Sequence, residues 1–311
     1  MPNPSLGRII SEIRRELISG IKGTLNPFKS SSVMLEIDMD ILSSTVIVIG
    51  NGFDLNLGLK TSYHDFMKSR YFLDLLVTGN RLCIYLKKRE NLDNWVDIES
   101  ALVPFSLMED SVNFKSELAV LKIALRNYLN HIDYGNINRR SHAYEFVRDV
   151  GMNASMILNF NYTDTVELIL QEHGLHADLS KGKVTKVHGT LSNGAGIILG
   201  VEDKAEHRTG HAFIKKSSDD YFPAVNVSEY LLGAKSIYFY GHSLGKTDHM
   251  YFERFFNSVS AAAEPKKERM ITMSYLKSAG NADMMEQLNK LTSNNVLILK
   301  QENIFIPLPL E

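Results

Sequence analysis

The residues from Thr45 to Ser62 read TVIVIGNGFDLNLGLKTS, and this stretch decides the fold class. Four β-branched residues, Val46 to Ile49, stand together and do not alternate with polar ones. Such a run is typical of a strand that is buried on both faces, as in a parallel sheet covered by helices. The stretch therefore predicts an α/β protein.

Gly50 and Gly52 follow this strand directly. Glycines at such a point let the backbone turn sharply and approach a ligand, and the free N–H groups of a following helix favour a phosphate. A tight turn between a strand and a helix explains the same residues without a ligand. The third glycine of the dinucleotide fingerprint is missing, and no acidic residue is evident at the end of a second strand, so both interpretations stay open.

The composition is that of an ordinary globular protein. The 311 residues suffice for one large domain with insertions or for two domains. Hydrophobic residues make up 44% and charged residues 23% of the chain. The net charge of −2 and the pI near 6.6 predict no bulk attraction to nucleic acid or to an anionic membrane.

Cys83 is the only cysteine of the chain. A single cysteine excludes an intrachain disulfide framework and an all-cysteine zinc site, and it fits a reducing compartment. We therefore expect a cytoplasmic protein. No run of about 18 apolar residues is present, which predicts that the chain has no transmembrane helix.

The pattern along the chain divides it into a short N-terminal part and one large domain. Residues 6–21 place apolar side chains at helical spacing, and residues 26–32 have the composition of a linker. We expect an amphipathic helix and linker at 1–42 and an α/β domain at 43–311. Helical patterns over 64–150 are too long for an ordinary crossover and predict a helical insertion.

Further strands and helices follow from the local pattern. Strands are predicted at 154–158, 183–187, 197–200, 236–240, 270–275 and 295–299, and helices at 63–71, 73–88, 114–132 and 283–291. The polar residues 201–225, which include Lys215 and Lys216, are interpreted as a mobile loop or lid. The alternation of strands and helices predicts a mostly parallel sheet, with ligands at the carboxyl ends of its strands.

Four predicted strands end in polar or glycine-containing motifs, namely GNGFD, NFNYTD, VHG and YGHSLGKTD. The carboxyl ends of parallel strands lie along one edge, so these motifs can converge on one pocket. Each motif alone has a structural explanation. His188 can be a satisfied structural histidine, and Asn161 can cap a turn or helix.

The segment GHSLG also has the form of a nucleophile elbow, with Ser243 directly after a strand. A hydrolase triad needs a histidine later in the chain, and the only one, His249, lies six residues away, too near to be a distant triad base. The ten histidines show no clear metal-ligand spacing, so no metal site is predicted.

Taken together, the motifs resemble the AbiH family of bacterial abortive-infection proteins, which protect populations against bacteriophages. The resemblance rests on IGNGFDLNLGLKTSY, WVDIE, LNFNYTDTVE, KVHGTL, ILGVED and YGHSLGKTDHMYF, in this order over about residues 45–255. Lys60 stands where the family typically has proline.

At a greater distance the chain is similar to sirtuin-like NAD-binding domains, which implies a Rossmann-like, mostly parallel sheet flanked by helices. The resemblance assigns NAD-binding roles to Gly50, Asn51, Gly52, Phe53, Asp54, Gly58, Gly241, His242 and Ser243. It assigns catalytic roles to Asn161, His188 and Asp164. Asp54 replaces a serine of the sirtuin pattern, Thr163 occupies the place of its aspartate, and the paired cysteines of its zinc module are absent.

What the resemblance implies is hydrolysis of NAD at the nicotinamide–ribose bond, with NAD as substrate and no metal. Asn161 would hold water or the ribose, and His188, with an ordinary pKa near 6.5, would act as base. The alternative is a non-catalytic module that binds a nucleotide or a phage component as a sensor. Expected partners are NAD or a related nucleotide, a phage-derived trigger, and a second copy or another defence protein, with no membrane and no bulk nucleic acid.

Overall fold

A computed structural model describes residues 44–93, 97–108, 113–191, 196–223, 225–261 and 269–310. Its centre is a six-stranded sheet in which every neighbouring pair is parallel. The strands are β1 (Thr45–Ile49), β2 (Met156–Asn159), β3 (Val184–Lys186), β4 (Ser236–Tyr240), β5 (Met270–Leu276) and β6 (Ile304–Leu310). The prediction of an α/β fold with a parallel, Rossmann-like sheet is confirmed.

The strand order is β3-β2-β1-β4-β5-β6. The chain builds the sheet outward from β1 in one direction and then returns to place β4 on the other side of β1. This order creates a switch point between β1 and β4, where open α/β sheets bind their ligands at the carboxyl ends of the strands. All five residues of β1 are buried, as its unbroken apolar sequence predicts.

Helices cover both faces of the sheet and fill the long connection from β1 to β2. They are α1 (Asn51–Asn56), α2 (Tyr63–Met67), α3 (Arg70–Val77), α4 (Arg81–Asp93), α5 (Ile98–Ser106), α6 (Phe114–Asn130), α7 (His142–Asp149), α8 (Thr165–Glu172), α9 (Ala177–Lys183), α10 (Val227–Gly233), α11 (His249–Val259), α12 (Lys277–Leu291) and α13 (Val296–Glu302). Val46 and Val48 of β1 pack with α10 to α13, whereas Ile47 and Ile49 pack on the opposite face with α1, α7 and α8.

The helices α2 to α6 have a hydrophobic core of their own. Val201 and Ile214 belong to this core and are buried. Their placement corrects the interpretation of residues 201–225 as a mobile lid, because the segment is anchored on the helices by apolar packing. Lys216 from the same segment is also fully buried.

Two strand predictions are wrong. Residues 296–299 are helical, because Val296 and Leu299 are buried three residues apart on one face of α13 while Leu297 is exposed. The last strand is instead β6, whose prolines are tolerated at the edge of the sheet. Residues 197–200 do not join the sheet, and Ile197 forms only an isolated bridge with Gly189.

Helix boundaries differ from the predictions within the first half of the chain. The predicted helices at 63–71 and 73–88 are three helices, separated at Ser69 and at Gly79, whose φ is +78°. The helix predicted at 114–132 is confirmed as α6, and the one at 283–291 is the second half of α12. The predictions for residues 6–21 and 26–32 lie outside the described residues. In the described part of the chain, no helix is both long enough and apolar enough to cross a membrane.

The turns after β1 and β4 contact each other through their backbones. The Gly50 amide donates to the Tyr240 carbonyl at 3.0 Å, and the Gly52 amide donates to the Gly241 carbonyl at 2.9 Å. A Cβ on Gly50 would lie 2.6 Å from the Cα of His242, and a Cβ on Gly241 would lie 2.3 Å from the amide nitrogen of Phe53. The glycines are therefore required for the two turns to meet.

Gly241→Ala should destabilise the protein more than Gly58→Ala, although both glycines have a positive φ, +64° and +86°. At Gly58 a Cβ meets nothing within 4 Å, so only the backbone strain of about 1–2 kcal/mol applies. At Gly241 the steric conflict adds about 1–3 kcal/mol. Urea unfolding of the two variants measures this difference, and equal losses would contradict the required contact between the turns.

Candidate functional site

A cavity of about 380 Å³ opens at the carboxyl ends of the strands, at the switch point between β1 and β4. Its lining comes from the turns after β1, β2 and β4, the residue two positions after β3, and helices of the β1–β2 connection. The lining residues are Gly50, Asn51, Gly52, Asp54, Leu55, Thr61, Ser62, Tyr63, Asp97, Glu99, Leu125, Leu129, Phe160, Asn161, Tyr162, Thr163, His188, Gly241, His242, Ser243, Gly245, Thr247 and Asp248. Segments that lie far apart in sequence thus share one pocket.

Most of the residues that the sequence singles out lie in this cavity. They are Gly50, Asn51, Gly52, Asp54, Asn161, His188, Gly241, His242 and Ser243. Asn161, His188 and His242 each stand two residues after the end of a strand. The convergence expected from the parallel sheet brings them together.

Three other predicted residues, Phe53, Gly58 and Asp164, do not line the cavity. Phe53 is fully buried in the core, with its ring 5.7 Å from that of Tyr240. Gly58 has a positive φ in the turn that ends α1. The side chain of Asp164 is 56% exposed and pairs with Lys186 at 3.0 Å.

Asn161 is held by the turns around it and keeps one polar atom available. Its side-chain nitrogen donates to the Gly50 carbonyl at 3.1 Å, and its backbone amide donates to the side chain of Asn159 at 2.9 Å. Its side-chain oxygen accepts no hydrogen bond from the described residues, and this atom is not fully buried. That oxygen is therefore open to the cavity.

Asp54 is fully buried and connects the turns after β1 and β2. Its carboxylate accepts hydrogen bonds from the hydroxyls of Thr163 and Thr165, both at 2.7 Å. Burial raises the pKa of Asp54, while the two threonine hydroxyls and the charge of Lys186 act against this rise. A hydrogen bond therefore joins Asp54 and Thr163, two of the positions at which the chain departs from the sirtuin pattern.

A buried cluster of charges lies beside the cavity, centred on the ammonium group of Lys216. The ammonium nitrogen lies 2.6 Å from Asp248 Oδ1, 3.1 Å from Glu99 Oε2 and 3.1 Å from the Thr247 carbonyl. It also lies 3.3 Å from His188 Nε2. Glu99 further accepts hydrogen bonds from the Thr247 hydroxyl at 2.9 Å and from the Gly200 amide at 3.1 Å.

His188 joins this cluster through one ring nitrogen. Its Nε2 lies 2.9 Å from Asp248 Oδ1, and its ring lies at 5.0 Å from the ring of Phe160. Burial lowers the pKa of His188 to about 4; the charge of Lys216 also lowers it, while the charge and the hydrogen bond of Asp248 act to raise it. His188 is therefore neutral at pH 7. Its Nδ1 has no hydrogen-bond partner in the described chain and is not fully buried, so it is open to the cavity.

The two carboxylates of the cluster differ. Burial alone would raise the pKa of Asp248, but Lys216 and His188 hold it well below its ordinary value. Burial raises the pKa of Glu99 to about 7, helped by the neighbouring Asp248 and opposed by Lys216. His242 also faces Asp248, with Nε2 at 3.5 Å from Oδ2, while its Nδ1 accepts the Leu244 amide.

The sequence interpretation did not assign Glu99, Lys216 and Asp248 to the site. Glu99 and Asp248 stand in the motifs WVDIE and YGHSLGKTDHMYF, which carry the family resemblance, so a signal was present for these two. Lys216 lies in a polar segment without any such motif, and only tertiary packing brings it to the carboxylates.

The elbow interpretation of Ser243 finds no support in the geometry. The residue with a positive φ is Leu244, at +53°, whereas an elbow strains the serine itself. His249 Nε2 donates to the Leu244 carbonyl and lies beside Gln287 Oε1, both 3.1 Å away. Among the described residues, no group of His, Cys, Asp and Glu side chains is arranged to hold a metal ion.

One wall of the cavity comes from the helical insertion. Leu125 and Leu129 of α6 contribute apolar surface and Tyr63 of α2 a half-buried phenol, which faces the cavity together with the half-buried Tyr162 from the turn after β2. Burial raises the pKa of both phenols, so they stay protonated and act as hydrogen-bond donors; Tyr162 donates to the Ile198 carbonyl at 3.0 Å. The insertion thus encloses the site that the sheet creates.

The family model for bacteriophage abortive infection AbiH matches residues 46–122 and 105–265, which together cover more than half of the chain. The chain belongs to the AbiH family. This membership supports a role in abortive-infection defence against bacteriophages. Neither the curated proteins nor the solved structures include a match.

In this AbiH-family protein the matched residues contain the entire lining of the cavity, from Gly50 to Asp248. They also contain Lys216, the centre of the charge cluster. The strands β5 and β6 lie beyond the match. The family pattern therefore coincides with the part of the fold that forms the site.

His188 should make the stability of the protein depend on pH between 6.5 and 4. The unfolded chain binds a proton at the ordinary pKa of 6.5, but the folded protein binds it only at about 4. Lowering the pH therefore favours unfolding across this window, by about 3 kcal/mol in total. His188→Asn, which keeps an N–H donor for Asp248 but does not titrate, should lack this loss. Urea unfolding at pH 7 and pH 4 measures it.

The free energy of unfolding of the variant is subtracted from that of the natural protein at each pH. This difference cancels the contribution of Glu99, whose raised pKa makes stability change with pH in the opposite direction. His176→Asn is the matched control, because the side chain of His176 is 74% exposed and loses little hydration on folding. If the free energy of unfolding of His188→Asn changed with pH as much as that of the natural protein, the neutral, buried state of His188 would be contradicted.

Proposed function

We propose that this AbiH-family protein acts in phage defence by hydrolysing NAD at the nicotinamide–ribose bond within the cavity at the switch point. The observation that carries the proposal is that Asn161 and His188, two of the three residues assigned to this chemistry, line one cavity with the turn after β1. Folds with this strand order bind dinucleotides at the same place. The similarity of the motifs to sirtuin-like domains supports the choice of NAD.

The charge of the cavity fits the reaction. Cleavage of the nicotinamide–ribose bond develops positive charge on the ribose ring, in the manner of an oxocarbenium ion. The carboxyl groups of Asp54, Asp97, Glu99 and Asp248 line the cavity, Glu99 and Asp248 being paired with the ammonium of Lys216, and the described lining residues include neither lysine nor arginine. Negative charge that is already in position stabilises such a transition state without further reorganisation.

Asn161 and His188 have complementary roles in this proposal. The open side-chain oxygen of Asn161 accepts a hydrogen bond from a ribose hydroxyl or from the attacking water. The water oxygen forms a bond to the ribose carbon, the bond to nicotinamide breaks, and nicotinamide leaves with the bonding electrons. The open Nδ1 of His188 accepts the proton of the water. General-base catalysis of this kind contributes on the order of 10²–10⁴ in rate.

A second candidate function, a non-catalytic sensor of a nucleotide or a phage component, is favoured by one observation. Pyrophosphate binding by a glycine turn uses free amides. Here the Gly52 amide donates to Gly241, and the Phe53 amide donates to the Gly50 carbonyl at 2.9 Å. A pocket with these amides occupied suits, within this candidate, a phage component with little negative charge rather than a nucleotide.

Cells that produce the protein should lose NAD and release nicotinamide when they are infected, and Asn161→Ala or His188→Asn should prevent both. His188→Asn should lower the rate on the order of 10²-fold or more, because the proton acceptor is lost. Nicotinamide release in extracts and by the purified protein measures the reaction. Thermal melting shows whether each variant remains folded.

Asp164→Ala is the matched control, because its exposed side chain lies outside the cavity. It should retain the activity and change stability by no more than about 0.5 kcal/mol. If Asp164→Ala instead abolished activity in a folded protein, the catalytic role assigned to Asp164 by the resemblance would stand and the reaction would lie elsewhere. Arrest of infected cells with unchanged NAD would favour the sensor over the hydrolase.

A further inference from the structure

Lys216 is a buried cation that the proposed reaction does not use. It comes from the segment after Gly200 and reaches three other parts of the chain: Glu99 at the start of α5, His188 after β3, and Asp248 after β4. Its side chain is completely buried, so a chance surface contact does not explain it. A buried ammonium in contact with a proposed base affects the protonation of that base.

The hydrogen bonds of Lys216 can be counted. An ammonium group carries three protons and accepts none. Three oxygen acceptors lie within 3.1 Å, on Asp248, Glu99 and the Thr247 carbonyl. All three protons are therefore used, and none remains for His188 Nε2 at 3.3 Å.

The same count assigns the proton of the His188 ring. Nε2 lies 2.9 Å from Asp248 Oδ1, an atom that accepts hydrogen bonds and donates none. Nε2 must carry the proton and donate it to Asp248. In the neutral ring Nδ1 is then the acceptor, and Nδ1 is the atom that is open to the cavity.

Lys216 and His188 thus share one oxygen atom, Asp248 Oδ1. A carboxylate that stood alone beside His188 would draw a second proton onto the ring and occupy Nδ1. The ammonium of Lys216, 2.6 Å away, already neutralises the negative charge of that oxygen. The other titratable groups that face His188 are His242, which also faces Asp248, and the phenol of Tyr251, whose ring lies at 5.8 Å.

We propose that Lys216 is a positioning residue that keeps His188 neutral and Nε2-protonated by matching the charge of Asp248, which leaves Nδ1 free to accept a proton. The proposal rests on the proposed role of His188 as base. Glu99 completes the cluster, because it binds the same ammonium and takes up a proton in preference to the histidine. Its raised pKa, about 7 against about 4 for His188, agrees with this order.

The test compares two variants that differ only at Lys216. Lys216→Met alone would leave two buried carboxylates without their cation and would endanger folding. Glu99→Gln therefore serves as the reference, and Lys216→Met/Glu99→Gln as the test variant. In the latter Asp248 keeps His188 as its partner. Lys216→Gln/Glu99→Gln has the same charge and keeps a donor for the Thr247 carbonyl, so it replaces the methionine variant if that one does not fold.

The readout is the nitrogen NMR spectrum of protein labelled in its histidines, with the His188 signals identified from His188→Asn. In the natural protein and in Glu99→Gln we expect the Nε2–H tautomer at pH 7 and a titration midpoint near pH 4. In Lys216→Met/Glu99→Gln the midpoint should rise by about one unit or more, towards the ordinary value of 6.5, because the cation that lowers it is gone while Asp248 still favours the charged ring. An unchanged midpoint, or an Nδ1–H tautomer in the natural protein, would overturn the proposal.

These measurements require no substrate, so they remain decisive even if the protein does not cleave NAD. Where NAD is cleaved, the acidic limb of the rate against pH should move upward together with the NMR midpoint. A rate profile that stays in place while the midpoint moves would remove His188 from the reaction. It would leave the electrostatic role of Lys216 intact.

Discussion

The turns after β1 and β4 meet backbone against backbone, and the rest of the site depends on this contact. Gly50 and Gly241 leave no space for a side chain between them. The Gly50 carbonyl also holds the side chain of Asn161, and His242 directly follows Gly241. Separating the turns would therefore displace both His242 and Asn161, the latter because it follows β2 and is held by the Gly50 carbonyl.

The buried charges beside the cavity indicate a functional role rather than a contribution to stability. A buried ion cluster is weak evidence for stability, because removing charges from water costs about as much as their pairing returns. Groups whose pKa values are strongly shifted by burial and by a specific partner are instead frequent at functional sites. His188 and Glu99, shifted in opposite directions around one ammonium, fit that pattern.

Much of the site follows from the sequence, because the carboxyl ends of parallel strands must share an edge. This rule correctly brings Asn161, His188 and His242 together. The rule does not predict Lys216. This lysine lies neither at a strand end nor in a local motif, and only tertiary packing brings it to the site. The short apolar run at 295–299 was assigned wrongly because its length suits a strand and a helix equally. Asp54 and Thr163 stand in place of a serine and an aspartate of the sirtuin pattern, and only the hydrogen bond between their side chains explains why both positions differ.

The span of the site along the chain has a consequence for biosynthesis. Its first residues are Gly50 and Asn51, and its last is Asp248, close to the start of α11. A ribosome that adds about 5–20 residues per second needs on the order of tens of seconds to pass from one to the other. During this time the nascent chain has its glycine turn but not the carboxylate that orients His188. An incomplete translation product ending before Asp248 therefore cannot possess the assembled site.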